Sequence, residues 1–297
     1  MRGVADPSVS ALAQMYPVLL LVDGLNLLWR SAFGFPRRIT SRSGVDITAV
    51  FGFFALLRKA INEMGVPAEC VVCFDGEYGC NERVAIDATY KQNRASTDVS
   101  HLAWLPTIKE GLQALHVPWI EMEEHEADDV IASICARTLG RSTIVLSTDR
   151  DFFQLVTANI AVLNTARRQG DGLITREQIV DRFSVEPWQW GDFRALMGDP
   201  SDGIPGVRGI GPRRAAHFLT DGRSLERLLE SGHLTGTWGD AIRVHWNDVL
   251  KWRELIRFRD NLDVGIAAGG EAVELPRPAE IIGLLGLWNP GEAGVSA

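Results

Sequence analysis

The run VLLLVD (18–23) decides the fold of this chain, because five apolar residues follow one another without a break and end on an aspartate. Three further short runs share this apolar character and end on or near a polar residue: CVVCFD (70–75), TIVLSTD (143–149) and IAVLN (160–164). Stretches with the apolar period of a helix lie between these runs, at 48–64, 102–115 and 127–139. Strands that alternate with helices predict an α/β fold, in which a mostly parallel sheet is flanked by helices.

The composition is that of a globular protein. The chain has 297 residues, of which 46% are hydrophobic, and this is enough for a large core. No apolar run reaches the roughly 18 residues of a membrane span, so we predict no membrane partner. Residues 1–16 hold no signal-peptide pattern and are predicted to form a loose tail. The four cysteines do not make a disulfide framework in so long a chain, which favours a cytoplasmic protein.

Cys70 and Cys73 have the spacing of a metal or redox pair, but their setting favours a structural role. Both lie in the run ECVVCFD (69–75), which is predicted to be a buried strand. Residues three apart on a strand face opposite sides of the sheet. We therefore expect the two thiols to pack on different faces.

Aspartates stand at the ends of three of the predicted strands. Asp23, Asp75 and Asp149 each follow an apolar run directly or within a few residues. In open α/β sheets ligands bind at the carboxyl ends of the strands, so these three side chains are expected to share one edge. The alternative for any one of them is that it starts a turn or caps a helix.

Further acids come in the segments EADD (126–129), TDRD (148–151) and GDPSD (198–202). Together with the strand-end residues they give nine carboxylates with a common predicted address: Asp23, Asp75, Glu126, Asp128, Asp129, Asp149, Asp151, Asp199 and Asp202. Clustered carboxylates repel one another unless cations bind between them. Ligands that are all oxygen select Mg²⁺ or Mn²⁺, and two such ions can promote phosphodiester hydrolysis. These nine acids more than account for the net charge of −8, so that charge does not exclude a DNA partner.

The segment GVRGIGPRRA (206–215) has the features of a phosphate-binding turn. Its glycines let a backbone approach closely, and Pro212 suits the first turn of a helix whose amides can face a phosphate. Arg208, Arg213 and Arg214 add charge that binds DNA without reading its sequence. A tight glycine turn without any ligand is the alternative.

The chain also resembles the 5′-nuclease (flap endonuclease) family, whose members include the 5′→3′ exonuclease domain of DNA polymerase I. Seven segments carry the resemblance, in the order and spacing of the family: LLLVDGLNLLWR (19–30), AVFGF (49–53), VVCFDG (71–76), YKQNR (90–94), EADDVIA (126–132), STDRDFFQL (147–155) and GDPSDGIPGVRGIGPRRA (198–215). The resemblance implies a PIN-like α/β domain with a helical arch, followed by a helix–three-turn–helix DNA-binding element. The implied boundaries are 17–185 for the nuclease core with its arch at about 83–115, 186–275 for the helical region, and 276–297 for a weakly patterned end.

Residue roles follow from the same resemblance. It implies that all nine carboxylates belong to the metal site and that Lys91 and Arg94 engage the scissile phosphate as catalytic residues. The implied DNA-binding residues are Arg30, Arg83, Tyr90 (by stacking on a base), Arg208, Gly209, Gly211, Arg213 and Arg214. In the family the glycine turn also holds a potassium ion on backbone carbonyls, which match those of Gly206, Val207 and Ile210. Departures from the family pattern are Gly203 in place of Asn, Ala85 in place of an acid, the pair Glu124–His125, and Trp104 in the arch.

The function implied is that of a stand-alone, structure-dependent 5′ nuclease, both a 5′-flap endonuclease and a 5′→3′ exonuclease. It would use two or more Mg²⁺ or Mn²⁺ ions and act as a monomer on branched or nicked DNA with a 5′ end, in replication and repair. One alternative is a PIN-type RNA nuclease, which needs only about four of the carboxylates and no glycine turn. The other is a non-catalytic protein that binds branched DNA, which would be expected to have lost several of the acids.

Overall fold

The computed structural model describes residues 17–93, 97–138, 140–168, 170–265 and 270–288. Its strands, in chain order, are β1 (Val18–Asp23), β2 (Ala68–Asp75), β3 (Trp119–Met122), β4 (Thr143–Leu146), β5 (Ile160–Leu163) and β6 (Leu173–Ile174). They form one six-stranded sheet in the order β3-β2-β1-β4-β5-β6. All neighbours pair in parallel except β5 and β6, which are antiparallel. The prediction of a mostly parallel α/β sheet is confirmed.

The central strand β1 shows why the apolar runs form this sheet. It pairs with β2 on one side and β4 on the other, and its residues are buried on both faces. Leu19 and Leu21 pack into one hydrophobic cluster, while Leu20 and Val22 pack into a second cluster on the opposite face. A strand that is buried on both faces has no polar position within it, which is why VLLLVD is continuously apolar.

Five helices belong to the first half of the chain: α1 (Gly24–Phe33), α2 (Thr48–Met64), α3 (Asn81–Ile86), α4 (Leu105–Ala114) and α5 (Ala127–Arg137). Residues of α1, α2 and α4 bury their apolar side chains in the cluster that contains Leu20. Helix α5 packs on the other face, through Val130, Ile131 and Ile134. The sheet is therefore covered on both sides.

The second half of the described chain is mostly helical. Its helices are α6 (Arg176–Phe183), α7 (Trp190–Met197), α8 (Pro212–Phe218), α9 (Leu225–Glu230), α10 (Gly236–Val244), α11 (Trp246–Ile256) and α12 (Pro278–Leu284). Short 3₁₀ segments lie at Ser100–Trp104, Asp151–Leu155, Pro187–Gln189, Pro200–Asp202 and Thr220–Gly222. Helices α7, α8, α9, α10 and α11 continue the cluster on the α5 face, so the helical region shares its core with one side of the sheet.

The structure differs from the predicted elements in three places. β3 and β6 were not predicted, because they are short edge strands of four and two residues whose side chains alternate in exposure or are too few to show a pattern. The helix expected from 102 begins as a 3₁₀ segment and becomes α4 only at Leu105, where Pro106 stands in the first turn. The end of the chain, expected to be weakly patterned, contains α12, which packs on α2 through Ile281 and Ile282.

Cys70 and Cys73 lie in β2 and pack into different clusters on opposite faces of the sheet, and both are free thiols. The structural interpretation of this pair is therefore confirmed. Within the described residues, no helix combines the length and the apolar character that crossing a membrane requires.

Candidate metal centre and nucleic-acid interface

The strand-end aspartates lie at one edge of the sheet and are tied to the elements that follow. Asp23 accepts hydrogen bonds from the backbone N–H of Asn26 (3.1 Å) and from the Ser147 hydroxyl (2.8 Å). Asp75 accepts a hydrogen bond from the backbone N–H of Ala127 (2.7 Å), at the start of α5. The capping role considered from the sequence is therefore present, and it orients the carboxylates at this edge.

A first group of carboxylates consists of Asp23, Asp75, Asp128 and Asp149, within which carboxylates raise the pKa values of their neighbours. Burial, together with the nearby Asp75 and Asp149, raises the pKa of Asp23 to about 7. Burial and the charge of Asp23 likewise raise the pKa of Asp128 well above its usual value. Carboxyl groups raise each other's pKa in this way only when they are close together and poorly hydrated. Asp23, Asp75, Asp128 and Asp149 therefore share one site, in which Asp23 is buried and the other three are partly buried.

A second group consists of Asp151, Asp199 and Asp202, whose carboxylates offer oxygens within 4.8 Å of one another. The side chain of Asp151 accepts hydrogen bonds from the Trp190 indole N–H (3.2 Å) and from Arg194 (3.2 Å). Burial raises the pKa of Asp151 to about 8, and Asp149 contributes to the rise. Since Asp149 raises the pKa of both Asp23 and Asp151, it lies close to both groups.

The loop that carries Asp199 and Asp202 is joined to the segment predicted as the base of the arch. The backbone N–H of Lys91 donates to the carbonyl of Asp202 (3.1 Å), and the Asn93 amide donates to the carbonyl of Pro200 (2.8 Å). Gly203 has a φ of +76°, and a Cβ there would lie 2.9 Å from the carbonyl oxygen of Thr89. Glycine at 203 thus fits a close approach between the two segments.

Lys91 reaches the metal-site acids directly. Its ammonium group contacts Glu126 and lies 5.0 Å from the centre of the Tyr90 ring. Burial acts to lower the pKa of Lys91, but Glu126 together with Tyr90, Asp128 and Asp202 outweighs it, and the pKa is raised well above its usual value. Lys91 is therefore a fixed positive charge at this site. Arg94, the other predicted catalytic residue, lies outside the described residues.

Three predicted site residues are placed differently from what direct contact with DNA or metal requires. Arg83 and Tyr90 are buried, with only 2% and 6% of their surface exposed, so neither side chain faces a DNA strand in this structure. The Tyr90 hydroxyl donates to Glu126 (3.3 Å). Asp129 is fully buried, and both of its carboxylate oxygens accept hydrogen bonds from Arg83 (2.7 and 2.9 Å). Arginine pairing satisfies these groups internally, which the spacing of the sequence could not show.

The predicted phosphate-binding turn lies between α7 and α8. Gly206 and Gly209 have φ values of +66° and +85°, and Gly211 stands at the N-terminal cap of α8. The turn is anchored from within, since the N–H groups of Val207 and Ile210 donate to the carbonyls of Leu196 and Val207.

Exposed arginines surround this turn. Arg208, Arg213 and Arg214 are exposed, and Arg214 donates to the carbonyl of Gly209 (2.6 Å). Its guanidinium also stacks 3.9 Å from the centre of the Trp238 ring. Arg30 lies on α1, half-buried, and donates to the Thr165 hydroxyl (3.0 Å).

Sequence reasoning missed several side chains that shape the site. Arg194 pairs with Asp151 and Asp199 and so balances part of the second group. Trp190 and Ser147 donate to site carboxylates, and Trp238 orients Arg214. Apart from its place on the helix before GDPSD, no signal marks Arg194, because its contact with Asp151 joins residues 43 apart in the chain.

The donor set fits divalent cations of the hard type. All the ligand atoms offered by the two groups are carboxylate oxygens, and several of these groups have raised pKa values that a bound cation would lower.

Comparison with known proteins identifies the family. The family model described as "5'-3' exonuclease, N-terminal resolvase-like domain" matches residues 18–184, and the one described as "5'-3' exonuclease, C-terminal SAM fold" matches residues 185–278. A 5'-3' exonuclease of Aquifex aeolicus is 34% identical over 262 residues, which cover 88% of this chain and 87% of that protein. The thermostable DNA polymerase I of Thermus thermophilus is 38% identical over 259 residues, or 85% of this chain, but the match spans only 30% of the polymerase.

Solved structures share the fold at lower identity. The T5 5'-exonuclease with bound zinc ions superposes with a TM-score of 0.63 at 18% identity, covering 90% of this chain and 97% of that one. Flap endonuclease-1 of Methanococcus jannaschii gives a TM-score of 0.57 at 18% identity, with 92% and 87% covered. Since the two family models together match the chain from residue 18 to residue 278, and the Aquifex relative matches over most of both lengths, this chain belongs to the 5′-3′ exonuclease family.

Proposed function

We propose that this protein is a structure-dependent 5′ nuclease, which hydrolyses DNA phosphodiester bonds near the 5′ end of a flap, nick or branch in replication and repair. One observation carries the proposal: buried and partly buried carboxylates from β1, β2, α5 and the loops after β4 and α7 converge at one edge of the sheet. Membership of the 5′-3′ exonuclease family supports it.

Eight of the predicted acids are proposed to hold two or more Mg²⁺ or Mn²⁺ ions: Asp23, Asp75, Glu126, Asp128, Asp149, Asp151, Asp199 and Asp202. Two groups of carboxylates that meet at Asp149 match the requirement of a two-ion site. When bound, such ions make water more acidic and offset the charge that develops on the phosphate oxygens. The all-oxygen donor set supports Mg²⁺ or Mn²⁺.

Lys91 is proposed to hold the scissile phosphate. Its raised pKa keeps the ammonium group charged at every pH at which DNA is handled in a cell. In this structure it contacts Glu126, so it would exchange that carboxylate for a phosphate oxygen when DNA binds. A preorganised cation at this point favours the transition state, in which negative charge on the phosphate oxygens is greatest. Arg94 is proposed to assist it on the grounds of family resemblance.

The turn between α7 and α8 is proposed to bind the phosphate backbone of the duplex. Exposed Arg208, Arg213 and Arg214 supply charge, Gly209 is exposed, and a Cβ at Gly211 would meet no atom within 4 Å, which leaves room for a phosphate. A potassium ion is proposed on the carbonyls of Gly206, Val207 and Ile210. These contacts carry no sequence information, as expected for an enzyme that recognises DNA by structure.

The test is cleavage of a labelled duplex that carries a 5′ flap, in Mg²⁺, in Mn²⁺ and in chelator. Wild-type protein should cut near the base of the flap only when a divalent ion is present. Asp149→Asn should lower cutting by about 10³-fold or more, since it removes the charge shared by both carboxylate groups, and should leave DNA binding in chelator unchanged. Asp181→Asn, on the exposed side of α6, is the matched control and should retain both properties.

Two outcomes would contradict the proposal. Binding of the flap without any metal-dependent cutting would favour a non-catalytic DNA-binding protein. Cutting of a single-stranded RNA in preference to every DNA flap, nick and overhang would favour a PIN-type RNA nuclease.

A further inference from the structure

We propose that Arg83 is a positioning residue: it fixes the metal-site carboxylate of Glu126 by joining it to Asp129 and to the end of α11. The inference rests on the proposed function only in taking Glu126 as a metal-site residue. It gives Arg83 and Asp129 roles other than the DNA contact and the metal ligand that family resemblance implies.

All five N–H donors of Arg83 are used inside the protein. Nε donates to the carbonyl of Leu255 (3.0 Å), and Nη2 donates to Asp129 (2.7 Å) and to the carbonyl of Arg257 (3.3 Å). Nη1 donates to Glu126 (2.6 Å) and to Asp129 (2.9 Å). Because a guanidinium carries five N–H groups in a rigid fork, no donor is left for a phosphate in this arrangement.

The burial of the pair also separates it from DNA. Arg83 is 2% exposed and Asp129 is fully buried, whereas Arg208, Arg213 and Arg214 in the phosphate-binding turn are exposed. A buried ion pair that is broken on one side leaves an uncompensated charge, so Arg83 has little freedom to turn outward. The paired carboxylates, in spite of burial, raise the pKa of Arg83, so its charge is permanent.

Asp129 is held in the same way from the other side. It accepts a hydrogen bond from the backbone N–H of Arg259 (2.9 Å), and the Arg259 guanidinium lies 3.5 Å away. The chain after α11 is fastened to α5 at a further point, where Ser133 bonds to Arg259 and Leu262. The segment 255–262 thus runs across α5 as a strap, and Arg83 is the side chain that connects this strap to Glu126.

Glu126 is the member of the network that would act on the metal. One of its oxygens accepts from Arg83 and the other contacts Lys91, so Arg83 fixes one oxygen and leaves the second to Lys91 or to a cation. Burial acts to raise the pKa of Glu126, but Lys91 and Arg83 outweigh it and lower the pKa. The hydrogen bond from Arg83 thereby orients this carboxylate. Side chains that orient metal ligands in this way commonly change metal affinity by about 10- to 100-fold when removed.

The experiment compares Mn²⁺ affinity with DNA affinity in the Arg83→Gln/Asp129→Asn double variant. Removing both charges together avoids the unpaired buried charge that either single variant would leave, so the double variant should fold. Mn²⁺ binding is measured by electron paramagnetic resonance on the protein without DNA. DNA binding is measured by fluorescence anisotropy in chelator, at several salt concentrations, and thermal melting shows that each variant is folded.

We expect the double variant to bind Mn²⁺ about tenfold or more weakly and to bind DNA within about twofold of wild type, with the same salt dependence. Arg213→Gln is the matched control and should do the opposite, with weaker DNA binding, a smaller salt dependence and unchanged Mn²⁺ affinity. The double variant leaves the net charge of the site unchanged, so charge alone predicts no change in Mn²⁺ affinity, and an equal or tighter affinity would overturn the proposal. Weaker DNA binding with a reduced salt dependence would also overturn it, in favour of a phosphate contact.

Failure of the inference and failure of the proposed function give different results. A folded wild-type protein that binds no Mn²⁺ would contradict the metal site itself. A wild-type protein that binds Mn²⁺ and cuts flaps, with a double variant of equal Mn²⁺ affinity, would contradict only the role given to Arg83.

Discussion

Without divalent ions, the free energy of unfolding of this protein should decrease as the pH rises from weakly acidic to weakly basic. Burial and nearby carboxylates raise the pKa of Asp151 to about 8 and that of Asp23 to about 7. An aspartate in an unfolded chain has a pKa of about 3.9. Between these values the folded, metal-free protein keeps protons that the unfolded chain has lost. The free energy of unfolding therefore decreases from about pH 4 to about pH 8.

The size of the effect at Asp151 can be worked from its pKa. A rise of about 4 pKa units, at about 1.4 kcal/mol each, sets an upper limit of about 6 kcal/mol. Asp151→Asn cannot ionise, yet it keeps the oxygen that accepts from Trp190 and Arg194. Because the remaining acids of the group repel one another less once Asp151 is neutral, we expect this variant to be more stable than wild type by roughly 2–5 kcal/mol at about pH 8 in chelator.

Chemical denaturation in chelator at about pH 5 and about pH 8 measures this difference. Wild type should lose stability between the two values and regain it at the higher pH when Mn²⁺ is added, whereas Asp151→Asn should change less with pH and respond less to Mn²⁺. Asp181→Asn, at an exposed site, is the control for a lost carboxylate. Wild-type stability in chelator that is constant or higher at about pH 8 would refute the argument, and so would an Asp151→Asn variant with no gain.

Two further predictions concern the phosphate-binding turn. Trp238→Ala should weaken duplex DNA binding by about two- to fivefold in fluorescence anisotropy, because Arg214 loses the ring on which it stacks. Arg214→Gln should reduce the DNA affinity less in the Trp238→Ala background than in the wild-type protein. Gly206→Ala should lower the free energy of unfolding by about 2 kcal/mol or more in chemical denaturation, since φ is +66° and the new Cβ would lie 2.4 Å from the Gly198 nitrogen. Gly211→Ala is the control: its Cβ would meet no atom within 4 Å, so this variant should lose much less stability in the same assay.

Local sequence patterns were sufficient to predict those parts of the structure that depend on residues close together in the chain. β1 spans Val18–Asp23 and α2 spans Thr48–Met64, the same bounds as the apolar run and the helical period predict. The edge position of Asp23, Asp75 and Asp149 also followed from the sequence, because parallel strands present their carboxyl ends at one edge. Each of these inferences needs only the period of the chain and a rule of sheet topology.

Contacts between distant segments could not be predicted in this way. Arg83 meets Glu126, 43 residues on, and the carbonyl of Leu255, 172 residues on. The sequence alone does not distinguish an exposed DNA-binding arginine from a buried one that acts as a counter-ion, and the spacing around Arg83 is compatible with both roles. The difference lies in whether carboxylates and free helix-end carbonyls meet the guanidinium, which depends on how α11 packs.

The distribution of positive charge inside the site explains why metal binding should be coupled to the release of protons in this protein. Arg83, Lys91 and Arg194 form ion pairs with four of the nine acids: Glu126, Asp129, Asp151 and Asp199. Within the described residues, no lysine or arginine forms an ion pair with Asp23, Asp128 or Asp149.

Burial and neighbouring carboxylates raise the pKa values of Asp23 and Asp128, and among the described residues neither has an ion pair with a lysine or arginine that would offset the rise. A divalent ion that binds there replaces the protons of these two carboxyl groups, so its affinity must rise with pH over the range in which Asp23 titrates. At these acids a metal ion would be the main compensating charge, whereas Asp151 and Asp199 would share their charge between Arg194 and a cation. The acids paired with Arg83 and Arg194 keep the shape of the site when the ion is absent.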